Sequence, residues 1–286
     1  MTNAIEITEL SKDYGKLHAL KNISLNVPKG SIYGLVGANG AGKTTLLKIL
    51  VGALKLTSGS VKVLGLEPQH EKWKLRKVIG YMPQTPALYE DLSPKRNIMF
   101  FGGAQNVLDL EKKTSEILEF AQLTNRANDP VRTLSGGMKK RISLCCALIH
   151  QPKIVFLDEP TAAIDPHLKL QSWRLFRQLA ASGVTLFIST HLMDEALLCD
   201  KITILGNGEI IAVDTPGKIL ERGKTIIKSV ENGEIKESVV ASNPENLAKE
   251  LHRMGLKTNI TAISFHPDNI ENIVLKIINE KENLSL

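Results

Sequence analysis

The chain has 286 residues, of which 43% are hydrophobic and 23% are charged, a composition typical of a globular protein rather than a disordered or membrane-spanning one. No apolar run approaches the roughly 18 residues needed to cross a bilayer, and no secretory signal pattern opens the chain, so we expect a cytoplasmic protein. The net charge of +6 is scattered before residue 217 and aromatic residues make up only 5%, so the basic, aromatic-lined footprint of a nucleic-acid binder is not seen.

Alternating apolar residues near the N-terminus predict antiparallel strands with one buried face. They comprise residues 5–8 and the series Ile23, Leu25 and Val27, which a Pro-Lys-Gly turn follows. Tyr14 lies between these segments. Its ring is expected either to be half-buried at a strand end or to stack on an adenine base.

Residues 37–45 fit the pattern G-x-x-x-x-G-K-[ST], and the apolar runs on either side predict a strand before this loop and a helix after it. Glycines let the backbone curl until successive N–H groups point at phosphate oxygens, because no Cβ blocks the approach. Lys43 would add a cation, and the Thr44 hydroxyl would ligate Mg²⁺. The predicted nucleotide-binding residues of the loop are Gly37, Asn39, Gly40, Ala41, Gly42, Lys43, Thr44 and Thr45.

Short strands are predicted over residues 59–64 and 78–82, and the pattern then becomes helical from about residue 86 to residue 150. This stretch closes with residues 134–138, which precede an apolar helix face. Ser135, Gly136 and Gly137 would therefore lie at the positive end of that helix and form a second anion site. Cys145 and Cys146 fall within the same helix and Cys199 is remote, without metal-ligand spacing, so buried reduced thiols are predicted.

Residues 153–157 form a continuous apolar run that ends in Asp158 and Glu159, as expected of a central parallel strand whose carboxyl end faces a ligand. Asp158 fits an Mg²⁺ ligand and Glu159 fits a general base acting on water, although two adjacent acids are also compatible with a solvated surface. Another buried strand, 184–188, leads to His191, which beside a γ-phosphate would act as a hydrogen-bonding sensor.

The C-terminal part shows weaker signals. A hairpin is predicted over residues 202–213, and Pro216-Gly217 is a candidate boundary. A small α+β domain, 218–286, would follow, with a hairpin around Asn232-Gly233, two amphipathic helices and a strand through Ile263 and Phe265. We expect a role for it in subunit dimerisation or regulation, or a passive stabilising role.

Taken in order, these segments resemble the ATP-binding subunits of ABC transporters over residues 4 to about 217. The correspondence runs through the adenine-stacking aromatic Tyr14, the Walker A loop 37–45, the Q-loop Gln84, the signature motif 134–138, the Walker B strand Ile154–Asp158, the catalytic Glu159, the D-loop 162–165 and the switch His191. Met138 at the end of the signature, together with the C-terminal extension, resembles exporter subunits of the drug-resistance type.

The resemblance implies a P-loop NTPase fold: a mixed, mainly parallel sheet with helices on both faces, an N-terminal antiparallel β subdomain, an inserted helical subdomain and the small C-terminal extension. It also implies Mg²⁺-dependent ATP hydrolysis, with Gln84 and Asp165 joining the catalytic residues and Gln84 joining Thr44 and Asp158 at the metal.

A further implication is a head-to-tail dimer that sandwiches two ATP molecules, with Ser135 and Gly137 of one subunit reaching the γ-phosphate held by the other. The partners would be a second ATP-binding subunit and a separate transmembrane permease contacted by Gln84 and the helical subdomain, which would place the chain at the cytoplasmic face of the membrane. A soluble ABC-type ATPase acting on nucleic acid or ribosomes is the alternative, although the usual coiled-coil insertion or tandem cassettes are not visible. A P-loop GTPase or kinase would leave the signature and His191 unexplained.

Overall fold

A computed structural model of the chain describes residues 2–231, 233–255 and 260–283, without the side chains of residues 278–283. In chain order its strands are β1 (Asn3–Tyr14), β2 (Leu17–Pro28), β3 (Ile32–Val36), β4 (Ser58–Val63), β5 (Ile79–Met82), β6 (Ile154–Asp158), β7 (Thr185–Thr190), β8 (Lys201–Gly206), β9 (Glu209–Asp214), β10 (Lys224–Glu231), β11 (Glu234–Ala241) and β12 (Ile260–Pro267). Its α-helices are α1 (Lys43–Leu50), α2 (Lys72–Arg76), α3 (Pro94–Ala104), α4 (Leu110–Phe120), α5 (Gly136–Leu148), α6 (Pro166–Ala181), α7 (Met193–Ala196), α8 (Pro216–Leu220), α9 (Pro244–Met254) and α10 (Ile270–Asn283).

The central sheet has the strand order β5-β6-β7-β3-β8-β9, with β9 antiparallel at one edge and the other pairings parallel. All residues of β3, β6 and β7 are buried, because layers on both faces cover these strands. Since β6, β7 and β3 are neighbours, their carboxyl ends bring the phosphate loop, Glu159 and His191 to one edge of the sheet. This edge positions the candidate site.

Two hydrophobic cores sandwich the central sheet. The antiparallel sheet β2-β1-β4 and helix α1 cover one face, where Leu10, Leu46 and Phe187 are fully buried. Helix α6 covers the other face through Trp173 and Phe176. The predicted antiparallel β subdomain is therefore confirmed.

Helices α3, α4 and α5 form the predicted helical insertion around a cluster of their own, which includes Ile98, Leu118, Ile142 and Cys145. All three cysteines of the chain are buried and free, as predicted. Burial raises the pKa of Cys145 and Cys199 to about 12, so these thiols stay protonated and unreactive.

The C-terminal strands form a separate antiparallel sheet of order β11-β10-β12. Helix α10, however, buries Ile270, Ile273 and Val274 in the same core as Ile219 of α8 and residues of β8 and β9. Helix α8 begins at Pro216, where the sequence suggests a boundary, and the Thr215 hydroxyl caps it. The C-terminal residues therefore pack directly on the core of the central sheet.

Some predicted features concern residues that the structure does not describe, and two short helices were not predicted. Asn232 of the predicted turn, the Ile278 side chain and the end of the chain after residue 283 lie outside the described residues. Helices α2 and α7 were not predicted, because five and four residues are too few to show a helical period. Among the residues described, no helix has the length and apolar character needed to span a bilayer.

Candidate functional site

The phosphate loop joins β3 to α1 in the predicted geometry. Gly42 is the N-cap of α1 with φ of 106°, a backbone conformation that favours glycine. At Gly37 a Cβ would lie 2.3 Å from the Leu205 backbone oxygen, so a side chain there would force the loop away from β8. Both glycines are therefore required by the backbone path that curls the loop around the start of α1.

The Lys43 side chain folds back into this loop. Its Nζ donates hydrogen bonds to the Gly37 oxygen at 2.8 Å and to the Ala38 oxygen at 3.0 Å, and lies 3.8 Å from Glu159 Oε1. Burial lowers the pKa of the Lys43 ammonium below its ordinary value of 10.5, although the carboxylates of Glu159 and Asp158 act in the opposite direction. A buried cation thus lies at the N-terminus of α1, and helix N-termini bind anions.

A cavity of about 750 Å³ opens over the loop. Its lining combines the loop residues Asn39, Gly40, Gly42, Lys43, Thr44 and Thr45 with Tyr14, Gln84 and Glu159. The Tyr14 side chain is exposed on its wall, with Lys12 Nζ 5.0 Å from the ring centroid, which leaves an aromatic face available for stacking. Residues that are far apart in sequence therefore meet around one space large enough for a nucleotide.

Asp158 is buried at the end of β6. Its Oδ1 accepts a hydrogen bond from the Ser189 hydroxyl at 2.5 Å, while its Oδ2 is buried and has no hydrogen-bonding partner within the described residues. A buried carboxylate oxygen without a donor suits a cation, and Mg²⁺ prefers such oxygen ligands. In the described ranges, no group of three or more His, Cys, Asp or Glu side chains is arranged to hold a metal ion.

Glu159 lies where the other predicted groups converge. Its Oε2 accepts a hydrogen bond from Gln84 Nε2 at 3.0 Å. Its Oε1 lies 3.1 Å from His191 Nδ1, in an orientation that makes no hydrogen bond. Glu159 is only 6% exposed, so the interpretation of the two acids as solvated surface residues is wrong. A buried carboxylate beside a phosphate-loop lysine can accept a proton from a water molecule.

The signature residues are arranged differently. Ser135 caps α5 by accepting a hydrogen bond from the Met138 amide at 3.3 Å, and Ser135 and Gly136 are exposed. Neither they nor Gly137 line the cavity over the phosphate loop of their own chain. Asp165 also lies outside this lining, where its Oδ1 caps α6 by accepting a hydrogen bond from the Leu168 amide at 3.0 Å.

Three polar residues of this region were missed from the sequence. The Ser189 hydroxyl donates a hydrogen bond to Asp158. The Lys140 ammonium donates hydrogen bonds to the backbone oxygens of Glu159 and Ala162. Glu195 is 1% exposed and accepts hydrogen bonds from Thr161 and Thr190. Nothing local in the sequence distinguishes these residues from surface polar residues.

Comparison with known proteins identifies the family. A sequence model described as ABC transporter matches residues 20–162. The chain is 36% identical over 265 residues to the linearmycin resistance ATP-binding protein LnrL of Bacillus subtilis, covering 90% of this chain and 85% of that protein. It is 37% identical over 222 residues to the Nod factor export ATP-binding protein I of Sinorhizobium fredii, covering 76% of this chain and 64% of that relative.

Solved structures agree with the sequence relatives. The chain matches cbiO1 from Clostridium perfringens, described as part of the ABC transporter complex cbiONQ, with a TM-score of 0.69 and 29% identity over 77% of this chain and 91% of that one. It matches the ATP-binding cassette MJ0796, solved as a dimer bound to ADP and Pi, with a TM-score of 0.68 and 26% identity over 74% and 98% of the two chains. The chain therefore belongs to the ABC transporter family, in which it is an ATP-binding subunit with the P-loop NTPase fold.

Proposed function

We propose that the chain hydrolyses ATP to power a membrane exporter. The observation that carries this proposal is the single cavity in which Tyr14, the phosphate loop, Gln84 and Glu159 meet. Such a cavity offers a stacking surface for a base, amides and a lysine for phosphates, and a carboxylate for water. The exporter assignment is supported by relatives whose names refer to linearmycin resistance and Nod factor export.

In the proposed mechanism, the loop amides and Lys43 bind the phosphates, and Glu159 accepts the proton of the attacking water. The water oxygen forms a bond to the γ-phosphorus as the bond to the ADP oxygen breaks. Gln84 orients the carboxylate, which it contacts at 3.0 Å. His191 acts as the sensor of the γ-phosphate from the end of β7.

Asp158, Thr44 and Gln84 are proposed to hold Mg²⁺. Asp158 supports this assignment, because its buried Oδ2 accepts no hydrogen bond from any of the described residues and so has lone pairs for a metal ion. When bound, Mg²⁺ neutralises charge on the phosphate oxygens. The protein's part is to keep that oxygen in place through the hydrogen bond from Ser189 to the other oxygen of Asp158.

A second copy is proposed to complete each site. Ser135, Gly136 and Gly137 form a helix N-terminus, exposed at Ser135 and Gly136, that does not line the cavity of their own chain. Helix N-termini bind anions. Asp165, at the start of α6, belongs to the same proposed interface. Two chains arranged head to tail would place each signature against the γ-phosphate held by the other chain.

The proposed membrane partner is a separate permease at the cytoplasmic face, contacted by the Gln84 loop and the helical insertion of residues 86–150; no direct nucleic-acid partner is expected. Residues 1–217 are proposed to form the ATP-binding domain and residues 218–286 an accessory domain. Membrane-derived material copurifying with the full chain should contain a hydrophobic protein. Copurification of ribosomes or nucleic acid instead would contradict the exporter assignment.

Glu159→Gln tests the hydrolytic mechanism. Loss of a general base lowers a rate by about 10²–10⁴-fold, so kcat should fall by that factor while ATP binding persists. The variant should then accumulate as an ATP-bound dimer in size-exclusion chromatography. Glu111→Gln is the matched control, because Glu111 is an exposed acid paired with Lys95 on the helical insertion. A Glu159→Gln chain that stays monomeric with ATP, or hydrolyses at the wild-type rate, would refute the mechanism.

A further inference from the structure

Lys140 lies on the second turn of α5, the helix that begins after the signature Ser135. Its ammonium contacts the segment that follows β6. There Nζ donates hydrogen bonds to the Glu159 backbone oxygen at 2.9 Å and to the Ala162 backbone oxygen at 2.5 Å. One side chain of the signature helix therefore bridges the first and last residues of the turn that carries the candidate base.

The backbone is unusual at the start of that turn and directly after it. Glu159, the first residue of the turn, has φ of 49°, and Ala163, the residue that follows the turn, has φ of 57°, both in the left-handed region that residues with a Cβ occupy infrequently. Such conformations persist where surrounding contacts hold them. The Glu159 amide is held from one side by the backbone oxygen and hydroxyl of Ser189, at 3.1 and 3.2 Å, and the Glu159 carbonyl is held from the other side by Lys140.

Comparison with the preceding residue shows that Lys140 is more than a surface charge. The Lys139 side chain is also partly buried, but its ammonium forms an ion pair at 2.8 Å with the carboxylate of the exposed Glu90. Lys140 is partly buried, and burial lowers the pKa of its ammonium, although the nearby carboxylates of Glu159 and Glu195 act in the opposite direction. A desolvated ammonium is retained here with two backbone carbonyls as its acceptors, which makes the contact specific to this turn.

We propose that Lys140 is a positioning residue that ties the signature helix to the backbone of Glu159 in the same chain and so sets the position of the Glu159 carboxylate. The inference rests on the proposed function, in which Ser135 contacts the nucleotide held by the second copy. Any displacement of α5 when it captures that nucleotide is transmitted through Lys140 to the backbone of Glu159. Nucleotide capture at one site of the dimer thereby sets the position of the base at the other site.

Lys140→Met removes the ammonium but keeps a long side chain, and it provides the test. We expect kcat for ATP hydrolysis to fall at least about tenfold, while KM and the ATP concentration that gives half-maximal dimerisation stay within about twofold. The Hill coefficient for ATP should fall towards 1, because the two sites become independent. Lys140→Arg, which keeps a cation with several donors, should retain most of kcat and the wild-type Hill coefficient.

Lys139→Met is the matched control, since it is the same substitution one residue earlier and breaks only a surface ion pair; its kinetics should equal those of the wild type. Unchanged kcat in Lys140→Met, or a loss matched by a lower unfolding temperature and weaker dimerisation, would overturn the inference, as would a wild-type Hill coefficient of 1. If the Met variant does not fold, Lys140→Gln is measured with the same expectations. A wild-type chain that does not hydrolyse ATP refutes the proposed function itself, so the two failures are distinguishable.

Discussion

Replacing Glu195 tests whether a buried carboxylate holds two loops of the site together. Glu195 is 1% exposed, and its oxygens accept hydrogen bonds from Thr161 at 2.5 Å and from Thr190 at 2.9 Å. Lys169 Nζ lies 3.1 Å from Oε1. Thr161 lies in the turn that begins at Glu159, and Thr190 precedes His191, so one carboxylate links the turn after β6 to the end of β7.

The cost of each substitution follows from these contacts. Hydrogen bonds to a charged group contribute about 1.5–3 kcal/mol each and those between neutral groups about 0.5–1.5 kcal/mol. Glu195→Gln keeps the shape and neutral hydrogen bonds, so it should lower the free energy of unfolding by about 2–3 kcal/mol. Glu195→Ala leaves the hydroxyls of Thr161 and Thr190 without their acceptor and removes one of the two carboxylates at the Lys169 ammonium, which should cost about 3–5 kcal/mol.

Asp194→Asn is the matched control, because the Asp194 side chain differs from that of Glu195 mainly in being exposed. Asp194 is the neighbouring residue and binds the same lysine, with Oδ2 at 2.7 Å from Lys169 Nζ, but its side chain is 69% exposed. Exposed ion pairs contribute about 1 kcal/mol or less, so this variant should be nearly as stable as the wild type. Urea unfolding followed by tryptophan fluorescence measures the difference. Equal stabilities of Glu195→Gln and Asp194→Asn would refute the anchoring role.

Two further predictions concern nucleotide binding. Tyr14→Ala should weaken ATP binding about tenfold, since a base stacked on an aromatic ring contributes about 1–3 kcal/mol. Tyr14→Phe should bind ATP as the wild type does, and neither substitution should change the binding of inorganic triphosphate. Equal losses of ATP affinity in Tyr14→Ala and Tyr14→Phe would exclude stacking. Because burial lowers the pKa of Lys43 and bound phosphates would raise it, ATP binding should take up a proton at alkaline pH below 10.5 and weaken as pH rises through that range. Calorimetry in two buffers of different ionisation enthalpy measures this uptake, and identical heats would contradict it.

The parts of the fold that sequence predicts well are those determined locally. Strand β3 was predicted with its observed bounds, because a continuous apolar run between a turn and a phosphate loop has few alternatives. Gly42 was predicted from the phosphate-loop pattern, and its left-handed φ of 106° is the local reason that this position needs glycine. Helix α10 was predicted from its apolar face, but that face does not specify its partner. Only the structure shows Ile273 packed in the core of the central sheet.

In the candidate site, too, residues of local motifs could be predicted from the sequence, whereas contacts between distant residues could not. Lys43 and Glu159 could be predicted because each belongs to a short motif with a chemical rationale, whereas Gln84 and Asp165 came only from the resemblance to a family. Lys140 could not be predicted, since its acceptors are backbone oxygens 19 and 22 residues away and any residue type supplies such oxygens. A sequence pattern shows which side chains are present but not which backbone oxygens they contact, so contacts of this kind cannot be predicted from it.

The contacts of Lys43 and Glu159 show what ATP and water would add to the site in the proposed mechanism. The lysine ammonium donates to two oxygens of its own loop, and the carboxylate accepts a hydrogen bond from Gln84. An ammonium has three N–H donors and a carboxylate has about four lone-pair sites, so Lys43 keeps a donor for a phosphate oxygen and Glu159 keeps acceptor sites for water. In the proposed mechanism ATP and water therefore add to these internal bonds. Because Gln84 contacts the same carboxylate, any element that moves the Gln84 loop would also change the position of the proposed base.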